Sequence, residues 1–149
     1  MDHDIDQRIL TFKEQLQASG HRVTHQRVEV FREVIQDDRH PDAETVYLGV
    51  KKRVTAISRN TVYQTLQFLV EQGQITPFGI HQTSHRYDRN TSPHHHLVCT
   101  HCGRVTDCET DTLPLPTPEQ QQKFSLWGDV KSVHLEFQGI CSNCQKGAR

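Results

Sequence analysis

Along the first ninety residues the apolar positions recur with a helical period, and beyond them the pattern becomes short and alternating. Ile5, Ile9, Phe12 and Leu16 share one face of a first helix, and Gly20 lies just past its end. Thr24 suits the N-cap of a second helix, which carries Val28, Phe31, Val34 and Ile35 on one side and runs into the polar stretch Asp37-Asp38-Arg39-His40. Pro41 is expected to open a third helix with Ala43, Val46, Tyr47 and Val50. Ser58 is expected to cap a fourth over residues 59–72, stopped by Gly73. Residues 75–78 and 85–87 then predict two short strands around a turn containing Gly79.

Helices followed by a short hairpin are the layout of a winged helix-turn-helix. The fourth helix has two faces: Val62, Leu66, Leu69 and Val70 form a core stripe, while Arg59, Asn60, Tyr63, Gln64 and Gln67 form a polar one. An α-helix fits the DNA major groove, and its N-terminal side chains reach base edges there. A polar stripe alone is usually only a solvated face. Its place between a helix and a wing makes the nucleic-acid reading the better one.

Residues 89–93, Arg89-Asn90-Thr91-Ser92-Pro93, read as a polar hinge. It separates a domain over residues 1–88 from one over residues 94–149. The second part predicts strands at 95–100 and 104–107, a proline-rich connection at 113–116, a helix over 117–128 and a long strand over 130–140 that alternates through Val133, Leu135 and Phe137. The expected class is therefore α+β, a winged-helix domain followed by a small α/β domain. A unit of about 60 residues builds only a modest core, for which a metal staple and a partner subunit are the usual remedies.

Charge and composition sharpen this picture. The chain has 149 residues and a formal charge of −1, so net charge favours no partner. Between residues 51 and 89, however, Lys51, Lys52, Arg53, Arg59, Arg86 and Arg89 face only Glu71 and Asp88, six positive charges against two negative. That local excess is a modest sign of a polyanion-binding face. No apolar run approaches the roughly 18 residues of a membrane span, and the acidic N-terminus does not resemble a secretory leader, so a cytoplasmic protein is expected. In that compartment cysteines serve more often as metal ligands than as disulfides. Eleven histidines and five cysteines invite a metal explanation.

Cys99-Thr100-His101-Cys102 and Cys141-Ser142-Asn143-Cys144 are two Cys-x-x-Cys pairs. Each lets one tight turn present two sulfurs to a single ion, and four thiolates favour structural zinc with no open position. Redox dithiols or disulfides are the alternative. Cys108 and His101 are surplus to this set. Pro93-His94-His95-His96 suggests a second site, because alternation puts His94 and His96 on one face and His95 on the other. Asp88 and Asp107 lie nearby in sequence. Such a set suits a harder ion, ferrous iron or manganese, with zinc possible. Neither the His-Glu-x-x-His signature of a zinc hydrolase nor that of a zinc deaminase is present in full.

The string Ser58-Arg59-Asn60-Thr61-Val62-Tyr63-Gln64-Thr65-Leu66, the segment from His94 to Gly103 and the ending Gly139-Ile140-Cys141-Ser142-Asn143-Cys144 resemble the ferric uptake regulator superfamily in order and spacing, over nearly the whole chain. The resemblance implies a metal-dependent repressor acting as a homodimer on a palindromic operator in double-stranded DNA, with no enzymatic activity. It implies structural zinc on Cys99, Cys102, Cys141 and Cys144, and a regulatory ion on His40, Asp88, His94, His96 and Asp107. Spacing alone does not point to His40. Iron-uptake repressors commonly carry glutamates where this chain has Asp88 and Asp107, so the peroxide-sensing branch is the nearer likeness; an iron- or other metal-responsive repressor is the alternative. A further site known in iron-uptake repressors would fall on Pro93, His95 and Val133, and proline and valine cannot ligate through their side chains. His134 is one step out of register with the family's histidine there. In the peroxide branch, iron-catalysed oxidation of His40 or His94 would release DNA. On DNA, Tyr63 and Gln64 are candidates for base contacts, with Asn60 beside them on the polar stripe. Arg59 is a candidate for base or phosphate, and Lys51, Lys52 and Arg86 for phosphate.

Overall fold

The computed structural model describes residues 2–79, 85–109 and 135–147, together with residues 117, 119, 122 and 123. It divides into two compact units, Met1–Thr91 and Ser92–Arg149.

In the first unit four helices precede a hairpin: α1 (Asp2–Ala18), α2 (His25–Gln36), α3 (Ala43–Lys51), α4 (Arg59–Glu71), β1 (Thr76–Phe78) and β2 (Arg86–Asp88). The helix starts are set by side-chain caps. Thr24, Asp42 and Ser58 each sit in extended backbone and accept a hydrogen bond from the amide three residues on, satisfying a donor the helix itself cannot. The third helix begins at Ala43, two residues later than expected, because Pro41 precedes the cap that Asp42 supplies. Gly20 and Gly73, at φ +72° and +66°, take the left-handed turn that stops α1 and α4.

The apolar stripes close one core in this unit. Phe12, Leu16, Phe31, Val34, Val46, Val50, Val62, Leu66 and Leu69 are almost wholly shielded from water, and the Phe12 and Phe31 rings meet at 4.7 Å. Arg53 ties the end of the α3 segment back to α2, donating to Glu29 at 2.9 Å and Glu33 at 2.6 Å. The strands β1 and β2 pair antiparallel, Thr76 opposite Asp88 and Phe78 opposite Arg86. Helix-turn-helix plus hairpin is the winged-helix arrangement.

The second unit holds β3 (His95–Cys99), β4 (Val105–Cys108), β5 (Glu136–Gly139) and α5 (Ser142–Gly147). The sheet order is β4-β3-β5, with β3 antiparallel to β4 and parallel to β5. Of the strand expected over 130–140, the described part holds β5, which closes at Gly139 and leaves Ile140 outside it. The short, polar α5 carries no apolar period and was not anticipated. Apart from residues 117, 119, 122 and 123, the expected helix over 117–128 lies outside the described residues, as do the connection at 113–116, the first part of the long strand with Val133 and His134, and the tip of the hairpin turn at 80–84. Among the described residues, no helix is long and apolar enough to cross a membrane.

Two neighbours on α4 separate stability from surface chemistry. Leu66 is fully buried, whereas Tyr63 is 54% exposed. Urea unfolding is expected to show Leu66→Ala losing about 2–5 kcal/mol of stability. Tyr63→Ala is expected to change it by no more than about 0.5 kcal/mol.

Candidate metal centres

The cysteine cluster is assembled by two turns in the second unit. Cys99 ends β3, and its carbonyl accepts from Gly103 N–H at 2.9 Å while its own N–H reaches Arg104 O at 2.8 Å. Gly103, at φ +71°, allows this tight return. The parallel pairing of β3 with β5 sets Gly139 beside Cys99, so the chain leaving β5 delivers Cys141 and, on the first turn of α5, Cys144. Cys141 N–H donates to Cys99 Sγ at 3.3 Å.

All four sulfurs lie within 4.8 Å of one another. Cys102 and Cys141 are 3.8 Å apart, and Cys99 and Cys144 are 4.0 Å apart. A tetrahedron of thiolates at the zinc–sulfur bond length has edges of about 3.8 Å, so the four residues fit such an ion. Their acidities tell the same story. The backbone N–H groups of Cys141 and Cys102 hold the Cys99 thiol down to about 6, while the neighbouring thiols of Cys141 and Cys102 push Cys144 up to about 12. Crowding by neighbouring sulfurs thus opposes ionisation of Cys144, and a dication bound among them would relieve that opposition. Cys108 lies apart from this set at the end of β4, its thiol 3.9 Å from the carbonyl of Glu109.

The histidines and aspartates form two groups, one in each unit. In the first unit, β2 is stitched to the segment before α3: Tyr87 N–H donates to Pro41 O at 3.0 Å, the Arg86 guanidinium to His40 O at 3.2 Å, and Asp42 bridges to Arg86. This brings His40 Nε2 to 3.5 Å from Asp88 Oδ1. His40 has φ +57°, an uncommon conformation for a side-chain-bearing residue and one that a following proline disfavours further. Such strain, of order 1–3 kcal/mol, persists where surrounding contacts impose it. The ring also stands edge-on to Phe78 at 5.1 Å. Asp88 is oriented in turn by Asn90 N–H at 2.7 Å.

In the second unit His94, just before β3, and His96, within it, turn to the same face with their Nε2 atoms 3.0 Å apart. Antiparallel pairing sets Asp107 directly opposite His96, and Asp107 Oδ1 is 4.0 Å from His94 Nε2. His94 Nδ1 meets Ser92 O at 2.7 Å, which fixes the tautomer that leaves Nε2 available as a ligand. His95 is directed elsewhere: its Nδ1 accepts from Leu135 N–H at 3.3 Å. Ligands about 2.1 Å from one ion are separated by about 3.0 Å at right angles and 4.2 Å when opposite. Distances of 3.0, 3.5 and 4.0 Å fall in that range, so both groups suit nitrogen- and oxygen-bound cations. His40 and its carbonyl contacts carry no sequence signal, because they arise from the stitching of two distant segments.

The polar stripe of α4 is exposed at Arg59, Asn60, Tyr63 and Gln64. Arg59 is paired with Glu44, at 2.9 and 2.7 Å. Lys51 donates to Tyr47 Oη at 2.8 Å, Lys52 is exposed, and Arg86 is half-buried by its hold on His40. Glu44 was not singled out from the sequence; a partner fifteen positions away leaves no local pattern.

Comparison with known proteins supplies a context. The ferric uptake regulator family profile matches residues 18–138. The chain is 35% identical over 147 residues to the ferric uptake regulation protein of Bacillus subtilis (strain 168), covering 94% of this chain and 96% of that one. It is 28% identical over 146 residues to the peroxide-responsive repressor PerR of Staphylococcus epidermidis, covering 98% and 93%. Its fold superposes with a TM-score of 0.73 on the ferric uptake regulator of Helicobacter pylori, at 20% identity, covering 95% of this chain and 93% of that one. That structure is described as revealing three functional metal-binding sites.

Because protons compete with the ion for sulfur, metal held by the four cysteines is expected to be released as pH falls and retained as it rises. A chromogenic chelator titrated against pH checks the sign. Cys102→Ser is expected to lower tightly bound metal by one equivalent per chain, measured by elemental analysis.

Proposed function

The chain belongs to the ferric uptake regulator family, and from that premise we propose that it is a metal-dependent repressor responding to peroxide. As a member it is a metal-responsive transcriptional regulator rather than an enzyme, and regulators of this family bind DNA and act as dimers. The observation that carries the finer reading is the donor set. Two histidines and one aspartate, His94, His96 and Asp107, converge in the second unit, a combination typical of ferrous sites with open positions. Aspartate at both Asp88 and Asp107, where iron-uptake repressors commonly have glutamate, favours the same branch.

In this reading zinc is held by Cys99, Cys102, Cys141 and Cys144 and staples the small unit. A separate ion, ferrous iron or manganese, is held by His40 and Asp88 from the first unit and His94, His96 and Asp107 from the second. Two or three side chains do not fill the coordination sphere of such an ion, so it favours the arrangement in which both groups reach it. The shift is limited by the difference in its affinity for the two arrangements. The favoured one would space the two recognition helices of a dimer for a palindromic operator. Ferrous iron held by these residues would catalyse the reaction of peroxide with a neighbouring imidazole: the His40 or His94 ring would take up one oxygen atom, the other leaving as water, and the oxidised ring would be a weaker ligand, so DNA would be released.

Tyr63 and Gln64, flanked by Asn60, are proposed to meet bases, and Lys51, Lys52 and Arg86 phosphates, their affinity falling steeply with salt. An apolar face supports self-association: Leu97 and Phe137 are cross-strand partners yet 46% and 37% exposed, with Ile140 beyond them at 55%. A cytoplasmic location accompanies a role on DNA.

The 35% identity to the Bacillus subtilis ferric uptake regulation protein favours a second reading, an iron-responsive repressor using the same ligands. Mass spectrometry separates the two. Peroxide is expected to add one oxygen atom to a peptide containing His40 or His94 in the iron-loaded protein and not in the manganese-loaded one. Iron-loaded protein that keeps its DNA affinity and unmodified histidines under peroxide supports the iron-responsive reading instead. In gel shifts, Asp107→Ala is expected to raise the metal concentration needed for DNA binding by about tenfold or more.

A further inference from the structure

Arg59 is the first residue of α4, the position from which a recognition helix reaches base edges. Its guanidinium is held on two sides. Nε donates to Glu44 Oε2 at 2.9 Å and Nη2 to Glu44 Oε1 at 2.7 Å, a side-on bidentate pair. The same plane lies 4.3 Å over the buried ring of Tyr47, and that ring is steadied by Lys51, which donates to its hydroxyl. Arg59 and Glu44 nevertheless remain 58% and 46% exposed. An ion pair so open to water adds little to stability, so its consequence is orientation.

A guanidinium has five N–H groups in a rigid fork. With Nε–H and one Nη2–H committed to Glu44, three remain, and the outer Nη1 and Nη2 hydrogens form a second parallel pair pointing away from the backbone. That pair matches the O6 and N7 acceptors of guanine in the major groove. Resting on the DNA-binding role proposed above, we infer that Arg59 reads a guanine in each half-site, with Glu44 and Tyr47 as positioning residues that pre-set its fork. A phosphate contact requires no such buttress, since it demands charge rather than a fixed plane. Carboxylate beside the helix start also repels phosphate, which lowers binding to sequences that lack the guanine.

The test is selection from random-sequence duplex DNA by the full-length, manganese-loaded protein, followed by salt titration on the enriched site. Wild type is expected to enrich an inverted repeat with a guanine at one symmetric position. Arg59→Lys, which keeps the charge and loses the fork, is expected to lose preference at that position by roughly 5- to 150-fold. Glu44→Gln is expected to weaken preference at the same position and no other, with the salt slope unchanged in both variants. An unchanged motif in Arg59→Lys, with Arg59→Ala lowering the salt slope by about one and weakening all sequences alike, makes Arg59 a phosphate contact and overturns the inference. Guanine preference lost in Arg59→Lys yet intact in Glu44→Gln removes the positioning role. Failure of wild type to enrich any sequence overturns the proposed function itself and this inference with it.

Discussion

Coordination number is the constraint on which the rest turns. A ferrous or manganous ion takes five or six nitrogen and oxygen ligands, and among the described residues neither unit gathers that many. The first presents His40 and Asp88; the second presents His94, His96 and Asp107. Each group is well formed and incomplete. On the proposed reading this incompleteness is the regulatory device, because an ion satisfied within one unit would have no leverage on the other. The cysteine cluster is the counter-example inside the same chain. Four sulfurs from one unit lie at spacings that suit a tetrahedral ion, which they would surround with no position left open.

The fold serves the incomplete groups by holding them at element junctions. His40 sits in a strained turn imposed by hydrogen bonds between its neighbours and β2. Asp88 ends the wing strand, and Asp107 is set opposite His96 by strand register. A one-residue slip of β4 would turn Asp107 to the other face of the sheet. These side chains are thus as well defined as the backbone pairings behind them, and the exposed polar side chains of α4 are fixed by the core through Val62, Leu66 and Leu69.

Legibility in the sequence followed the range of the interactions. The four helices of the first unit, their Thr24 and Ser58 caps and the Gly20 and Gly73 stops are local, and the apolar period and cap residues announced them. The Cys-x-x-Cys pairs and the shared face of His94 and His96 depend on spacings of two or three residues and were equally readable. His40 was found through family resemblance, since its approach to Asp88 spans 48 positions and no period connects them. Pro41 misled because a proline can open a helix or precede its cap, and the Asp42 side chain decided between these. The closing of β5 at Gly139 and the turn into α5 reflect the cysteine cluster, which a reading of alternation does not include.

The claim that a single ion draws ligands from both units is met most directly by X-ray absorption on protein whose regulatory ion is manganese. The account predicts an imidazole shell of three, falling to two in His40→Ala while the zinc–sulfur shell, read at the zinc edge, is unchanged. A manganese shell of two imidazoles in the wild type, identical in His40→Ala, would contradict it.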